Sequence, residues 1–373
     1  MLILSLVTAS IWSIHLALLL CGFFFSMRKL KTLSPFEAKS LRPVSILKPL
    51  CGAEDGLEQN LESFFHLDYP NYEIIFALAT PQDPARPIIE RLLKKYPKSP
   101  ARLKISSLKI GKNPKINNLF WGFTHCKYPL VLISDSNVRV APTYLHSMVP
   151  LLKEDVGVVT SAISGVGAKT FGASLESVYL NTYLLRWIHL SNFLGNPIVM
   201  GKSMLFRKSD LIQCGGIHAL SNLIAEDYGA SSMSRRLGLK VVVMDRPIDQ
   251  YLGAFSFKAF WGRHIRWGRI RKSCEYGLFL AEPFSSALMS GLCGALAFRE
   301  IVPFWGFLIS HLAFCFCLEW ILAVHSGVRR GLQMLTSWVT LEFLTLPLWI
   351  YSLCGNTVNW RGNRLKLLPG GRL

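Results

Sequence analysis

Acidic residues are scarce in this 373-residue chain, which has 23 Asp and Glu against 41 Lys and Arg, a formal charge of +18. Such an excess suits nucleic acid, anionic lipid or a phosphorylated substrate. No zinc-finger spacing, RNA-binding aromatic signature or helix-turn-helix pattern accompanies it, which argues against nucleic acid. Metal-type cysteine pairs are also missing. The nine cysteines (21, 51, 126, 214, 274, 293, 315, 317 and 354) are scattered, several of them in apolar runs where Cys acts as a small hydrophobe. Free thiols and a reducing compartment are expected. The first apolar run, Leu2 to Phe25, carries no charge and lacks both the preceding cations and the small-residue cleavage site of a secretory signal. Residues 1–27 therefore read as an uncleaved anchor. Arg28, Lys29 and Lys31 follow at once, which places the next domain on the cytoplasmic side.

Residues 32–43, with Pro35 and Pro43, read as a linker. Short apolar runs then alternate with helical patterns, the signature of βαβ units and a mostly parallel sheet. Strands are expected over Val44–Leu50, Tyr72–Ala79, Arg102–Ser107, Leu130–Ser134, Val156–Ser161, Ile198–Phe206 and Lys240–Met244. Helices are expected over Leu57–Phe65, Pro84–Tyr96, Pro114–Cys126, Pro142–Lys153, Ser174–Phe193 and Ala225–Leu237. The division is an α/β domain over 28–254, an interfacial segment over 255–277, membrane helices over 278–356 and a basic tail over 357–373. The interfacial segment mixes six cations with aromatics between Phe255 and Lys272, a composition that lies along a membrane surface. Apolar segments at 284–298, 301–324 and 334–354 are span candidates, with Arg329, Arg330 and Gly331 marking the last loop. If all three cross, the basic tail ends outside, against the charge rule; a re-entrant 284–298 would keep it inside.

The chemistry gathers at loop positions. Asp135 ends the apolar strand Leu130–Ser134, at the sheet edge where open α/β folds bind ligands. A carboxylate there can hold Mg²⁺ or Mn²⁺, or simply cap a turn. Asp83 follows the second strand, where a helix N-cap with Pro84 in the first turn is the plain alternative. Lys112 to Asn118 enters a helix, a setting for phosphate or for an ordinary solvated loop. Glu226 and Asp227 open another helix, as a general base with its neighbour or as first-turn acids complementing the helix dipole. The histidines, His189, His218 and His264 among them, read as core or surface residues.

In order, these acidic sites and Arg263-His-Ile-Arg-Trp267 resemble the D,D,D,(Q/R)xxRW pattern of membrane family-2-type glycosyltransferases. Ser45-Ile-Leu-Lys-Pro-Leu50, Leu61-Glu-Ser-Phe-Phe65, Leu67-Asp-Tyr-Pro70, Asn113-Pro-Lys-Ile-Asn-Asn-Leu119, Asp135-Ser-Asn-Val-Arg-Val140, Ala225-Glu-Asp-Tyr228 and Trp360-Arg-Gly extend the resemblance to the ceramide glucosyltransferase family. It implies a GT-A domain, a Rossmann-like mixed sheet, that transfers sugar from a UDP-sugar, UDP-glucose foremost, to a lipid hydroxyl with Mg²⁺ or Mn²⁺. Carried over, Asp83 contacts the nucleotide, with Lys48, Pro49, Lys115 and Asn118 of the matched motifs beside it. Asp135 binds the metal, Asp227 is the base, and Arg263, Arg266 and Trp267 hold the diphosphate and close the site. The implied partners are the donor, a membrane lipid and the bilayer, with an inverted, β-linked product; the setting is a multi-pass protein, its location the bacterial inner membrane. Two departures stand out. Asp135-Ser-Asn137 has one carboxylate where many relatives have two, and Thr182–Pro197 matches animal ceramide enzymes poorly. Bacterial hopanoid glycosyltransferases share most of the motifs and are the alternative. A processive polysaccharide synthase would need more helices for its pore, and the remaining rival is a non-catalytic membrane scaffold.

Overall fold

Successive residues of a strand point to opposite faces of the sheet, so the consecutive apolar residues Ile46-Leu47 of the first strand and Ile74-Ile75-Phe76 of the second supply apolar side chains to both faces. The computed structural model describes residues 2–31, 41–328, 331–360 and 362–373; Pro35, most of the linker, Arg329, Arg330 and Arg361 lie outside the described residues. The strands are β1 (Val44–Pro49), β2 (Tyr72–Leu78), β3 (Ala101–Ile105), β4 (Leu130–Ser134), β5 (Val138–Arg139), β6 (Val156–Ala168), β7 (Ser203–Arg207) and β8 (Lys240–Gly253). They form one sheet in the order β3-β2-β1-β4-β7-β6-β8-β5. Pairs β1–β2, β2–β3 and β1–β4 are parallel; β4–β7, β6–β7 and β5–β8 are antiparallel. This is the mixed α/β sheet expected from the sequence.

Val44, Ile46, Ile74, Phe76 and Leu132 fill one face, while Leu47, Ile75, Val131 and Ile133 fill the other with Ile116 and Leu119 of the helix Pro114–Thr124. Each such fully buried side chain contributes roughly 1.5–3 kcal/mol. Register is thereby pinned, because a one-residue slip would exchange the two faces.

Several boundaries differ from expectation for identifiable reasons. The helix expected over Pro142–Lys153 is only Tyr144–Met148 and then a 3₁₀ turn, Val149–Leu151, since Pro150 has no N–H for the α ladder. The strand expected from Ile198 begins at Ser203, because Met200 accepts the Ser203 N–H at 3.1 Å and closes a turn. The helix expected over Ser174–Phe193 is broken by a π-helical turn at Leu180–Leu184 between Phe171–Tyr179 and Leu185–Phe193. Strands β6 and β8 run well past their expected ends.

The chain divides into two compact units. One comprises Leu33–Ile163, Leu194–Tyr251 and Gly371–Leu373 and carries most of the sheet; the other comprises Met1–Thr32, Ser164–Phe193 and Leu252–Gly370. In the second, Leu2–Lys31 and Phe304–His325 are long and apolar enough to cross a membrane. Tyr276–Ser285 and Ala287–Ala297 meet at a 71° bend, a broken span or a re-entrant loop, as the parity argument allowed for 284–298. The segment at 334–354 forms the helix Leu332–Leu353, which contains Glu342 and Pro347 and is not among the span-competent helices. The tail read as merely basic contains a hairpin, β9 (Thr357–Trp360) with β10 (Asn363–Lys366). Among the described residues the nine cysteines form no disulfide.

Candidate active site

Strand order reverses at β1, whose neighbours β2 and β4 are both parallel to it, so the loops leaving β1, β2 and β4 open at one edge of the sheet. Such a switch point is where α/β sheets bind ligands. Lys48, near the end of β1, is fully buried beneath the Phe64 ring, 3.8 Å from its centroid. Its Nζ donates to Ser134 Oγ at 3.2 Å and to the Asp135 carbonyl at 2.6 Å. Burial holds this amine well below its usual range, against the pull of Asp135.

Asp135 caps no helix. Its Oδ1 lies 2.7 Å from Lys115 Nζ, and its Oδ2 lies 3.8 Å from Lys202 Nζ. Burial alone would raise its carboxyl, but Lys115 and Lys202 hold it below the ordinary value, so it stays ionised. Lys115 also reaches Glu226 Oε1 at 2.5 Å and the Gly201 carbonyl at 3.0 Å. Burial depresses an amine, yet here the two carboxylates outweigh it and keep Lys115 charged. Lys202 donates to Asn137 Oδ1 at 3.0 Å, so the amide oxygen two residues after Asp135 is engaged.

The paired acids differ. Glu226 is salt-bridged to Lys115, whereas Asp227 accepts Gly201 N–H at 3.0 Å and Tyr228 N–H at 2.8 Å. Burial first, and the adjacent Glu226 second, push the Asp227 carboxyl up to about 6, with Lys115 opposing. A carboxylate poised there exchanges protons near neutrality. Gly201 is pressed against both acids: a Cβ on it would sit 2.9 Å from Glu226 Oε1 and 3.0 Å from Asp227 Oδ2.

Two expected donor-side residues act on the loop after β1. Asp83 accepts the Gly52 N–H at 3.0 Å and the Ala85 N–H at 2.9 Å, while Asn118 Nδ2 donates to the Leu50 carbonyl at 3.1 Å. The capping alternative for Asp83 is thus replaced by an Asx turn, since the helix starts at Arg86 after Ala85. Pro49 pairs in register with Ala77 at the end of β1. The solvated-loop alternative for 112–118 also fails. Asn113 is fully buried and caps its helix, accepting Lys115 N–H at 2.9 Å and Ile116 N–H at 3.2 Å, with Pro114 in the first turn.

Arg263, Arg266 and Trp267 lie in the other unit, on the helix Phe257–Cys274, capped by Ser256. Arg263 bonds Glu176 Oε1 at 2.8 Å and His264 Nε2 meets Glu176 Oε2 at 3.0 Å. Burial would raise Glu176, but Arg263 and His264 bring its carboxyl down to about 2. Arg263 also stacks over Phe255, 4.1 Å from the ring centre, and Trp267 packs beside His264 and Tyr179. His264 is thus a core residue, as read.

Sequence reasoning missed Lys202, Gly201 and Glu176. Gly201-Lys202 had a visible signal, a glycine before a cation at a strand entry; Glu176 had none, because its partners lie 87 and 88 positions away. Among the described residues His15, His311 and Cys315 also converge, but His311 is spent as a ligand: Nδ1 accepts from Trp12 Nε1 at 3.3 Å and Nε2 bonds the Ala287 carbonyl at 3.1 Å.

A mixed sheet with lysines and carboxylates converging at its switch point, in a chain with membrane-length helices, defines a membrane-associated transferase. The chain belongs to glycosyl transferase family 21, whose model matches residues 10–373. It is similar to ceramide glucosyltransferase 1 of Caenorhabditis elegans, 28% identical over 361 residues covering 94% of this chain and 77% of that protein. It is also similar to the ceramide glucosyltransferase of Komagataella phaffii, 27% identical over 460 residues covering 97% and 90%. Among solved structures it resembles a mannosyltransferase from Pyrobaculum calidifontis in complex with GDP-Man and Mn²⁺, at 16% identity, a TM-score of 0.49, and 94% and 96% coverage.

Proposed function

We propose that this glycosyltransferase moves glucose from UDP-glucose to the hydroxyl of ceramide or a similar membrane lipid, inverting the anomeric centre. The observation that carries the reading is Asp227, a half-buried carboxylate that accepts the Gly201 and Tyr228 N–H groups and is held near 6 beside the Lys115–Asp135 pair. The family and the names of the relatives supply the substrate class.

In this reading Asp227 accepts the lipid hydroxyl proton as that oxygen bonds to the anomeric carbon and the carbon–phosphate oxygen bond breaks, releasing UDP with the electron pair. Base assistance of this kind contributes about 10²–10⁴-fold. One displacement converts an α-linked donor into a β-glycoside. Lys115 and Lys202 are placed beside Asp135 to meet diphosphate charge, and Asp83 and Asn118 fix the β1 loop for the nucleotide. Lys48 supports the Asp135 backbone from below, and Pro49 stiffens the strand end. Arg263, Arg266 and Trp267 keep the family role, cationic and aromatic partners of the leaving diphosphate.

A divalent metal fits the donor set. Asp135 is ionised and offers the hard oxygen that Mg²⁺ and Mn²⁺ prefer, its Oδ2 lying 3.8 Å from Lys202 Nζ. Such an ion would neutralise the diphosphate charge. In this proposal the protein is multi-pass in a bacterial inner membrane with its catalytic side cytoplasmic, a reading supported on the orientation by Arg28, Lys29 and Lys31 in the last turn of the first helix.

The test is incubation of membranes with labelled UDP-sugars and mass analysis of the labelled lipids. One glucose per ceramide supports the proposal, one per hopanoid moves the acceptor, and a polymer or no transfer defeats it.

A further inference from the structure

One turn of the sheet unit, residues 200–203 at the entry to β7, touches every charged group of the candidate site through two neighbouring residues. The Gly201 N–H holds Asp227 Oδ2 at 3.0 Å, and the Gly201 carbonyl accepts from Lys115 Nζ at 3.0 Å. The Lys202 carbonyl accepts the Asp135 N–H at 3.3 Å, and the Lys202 ammonium reaches Asn137 Oδ1 at 3.0 Å and Asp135 Oδ2 at 3.8 Å. The proposed base, the cation between the acids and the proposed metal ligand all depend on where this turn sits. From within, the Ser203 N–H closes it on the Met200 carbonyl at 3.1 Å.

From outside, the turn is fixed by Thr160. This residue is fully buried on β6, and the pairing of β6 with β7 ends where Thr160 faces Met204. Thr160 Oγ1 accepts the Met200 N–H at 3.0 Å and donates to the Ser203 carbonyl at 2.9 Å, with the Met200 carbonyl 3.3 Å away. A hydroxyl is both donor and acceptor, so one side chain clasps both ends of the turn. Ser203 is held a second time, because its hydroxyl bonds that of Tyr144, and both residues are buried. Among the described residues, Thr160 itself makes no hydrogen bond to Lys115, Asp135 or Asp227. Its influence on them passes through the turn.

We propose that Thr160 is a positioning residue for the reaction: its hydroxyl sets the 200–203 turn, and the turn sets Asp227 through Gly201 and Asp135 through Lys202. The inference rests on the glucosyl-transfer reading with Asp227 as base, and adds a residue that works from behind the site. Without the hydroxyl, the Met200 N–H and the Ser203 carbonyl lose a partner, and the turn must shift to find others. A hydrogen bond to the charged form favours that form, so a Gly201 N–H drawn away from Asp227 leaves the carboxyl easier to protonate. The other groups facing Asp227, which are Glu226, Lys115 and the Tyr228 N–H, belong to helix starts that Thr160 does not touch.

The test follows glucose transfer by the full-length protein in detergent micelles, with UDP-glucose, Mn²⁺ and a short-chain ceramide, across the acid limb of the rate. In Thr160→Val, which keeps the shape and removes the hydroxyl, kcat should fall about tenfold or more and the acid limb should move to higher pH. Thr160→Ser, which keeps the hydroxyl, should restore both. Thr160→Cys, whose thiol is a weak donor and acceptor, should fall between them, and it takes the place of the valine variant if that protein does not fold. Adding Thr160→Val to Gly201→Ala should cost far less than the product of the two single effects, because both act through one turn. A residue that served only the fold would lower the Tm and leave kcat and the limb of the folded protein where they were. Folded valine or cysteine variants with wild-type kcat and limb, or a serine variant as impaired as the valine one, overturn the inference and leave the transferase reading in place. A limb that persists in Asp227→Asn, or wild type that labels no lipid, overturns that reading and this inference with it.

Discussion

Lys115 Nζ stands 2.7 Å from Asp135 Oδ1, and the same ammonium lies 2.5 Å from Glu226 Oε1. One cation from the first turn of a helix therefore neutralises a strand-end acid and a helix-start acid separated by 91 positions, 135 to 226. Replacing it with Met would leave the buried Glu226 without this ion pair and Asp135 with Lys202, at 3.8 Å, as its remaining one. Breaking a buried pair in this way costs about 3–5 kcal/mol. Lys115→Met should lower the Tm of the purified protein by roughly 10 °C. An unchanged melting curve would mean that the contact is incidental.

The pH dependence follows from Asp227. Its carboxyl sits at about 6 in the folded protein against 3.8 for the unperturbed group. Below about 6 the base is protonated and kcat/KM should drop close to tenfold per pH unit, a limb absent from Asp227→Asn, which should retain fold and lose about 10²–10⁴ of the rate. Stability runs the other way. Because the folded group binds its proton more tightly than the unfolded one, acidification from above 6 toward 4 stabilises the fold through this residue. Rate and denaturant midpoint measured across that window should diverge; parallel curves would refute the assignment.

Metal affinity should depend on the nucleotide. Asp135 is the one carboxylate of its motif, and Lys115 and Lys202 already attract it. Calorimetry with Mn²⁺ alone should show weak binding, tightened about tenfold or more by UDP, whose phosphate oxygens complete the coordination. Asp135→Asn should remove the coupling. Equal affinity with and without UDP would place the ion elsewhere.

Gly201 tests how closely the acids are packed. A methyl at this position meets Glu226 Oε1 at 2.9 Å and Asp227 Oδ2 at 3.0 Å, nearer than side-chain carbons normally come. Gly201→Ala should displace the base and reduce kcat by about tenfold or more, since small misplacements in an active site are costly. The KM for the donor should change far less. A kinetically normal Gly201→Ala would show that Asp227 tolerates displacement.

Much of this arrangement was readable before any coordinates. The run Leu130–Ile133 before Asp135 is apolar at every position because both sheet faces are covered, and a carboxylate ending such a run is conspicuous. Asn113 followed by Pro114 signals a helix start by local chemistry alone. What escaped depends on distant partners. The two-residue β5 exists only because β8 pairs with it, Val138 to Gln250, and no period can be read from two residues. The π-helical turn at Leu180–Leu184 interrupts a sequence that is helical in pattern throughout. Glu176 looked like any helical acid until Arg263 and His264 converged on it.

The interleaving of the two units bears on how the protein is made. The sheet unit is assembled from Leu33–Ile163, Leu194–Tyr251 and Gly371–Leu373, with membrane-unit segments threaded between each piece. Its third piece is tied in by backbone and side chain: Ile224 N–H donates to the Gly371 carbonyl at 2.9 Å, and Lys112 Nζ donates to the Leu373 carbonyl at 2.9 Å. No single cut frees a catalytic fragment. During synthesis, the turn leading to Glu226 and Asp227 must wait for the hydrophobic helices to leave the ribosome before it gains these contacts, so maturation of the base is coupled to membrane insertion.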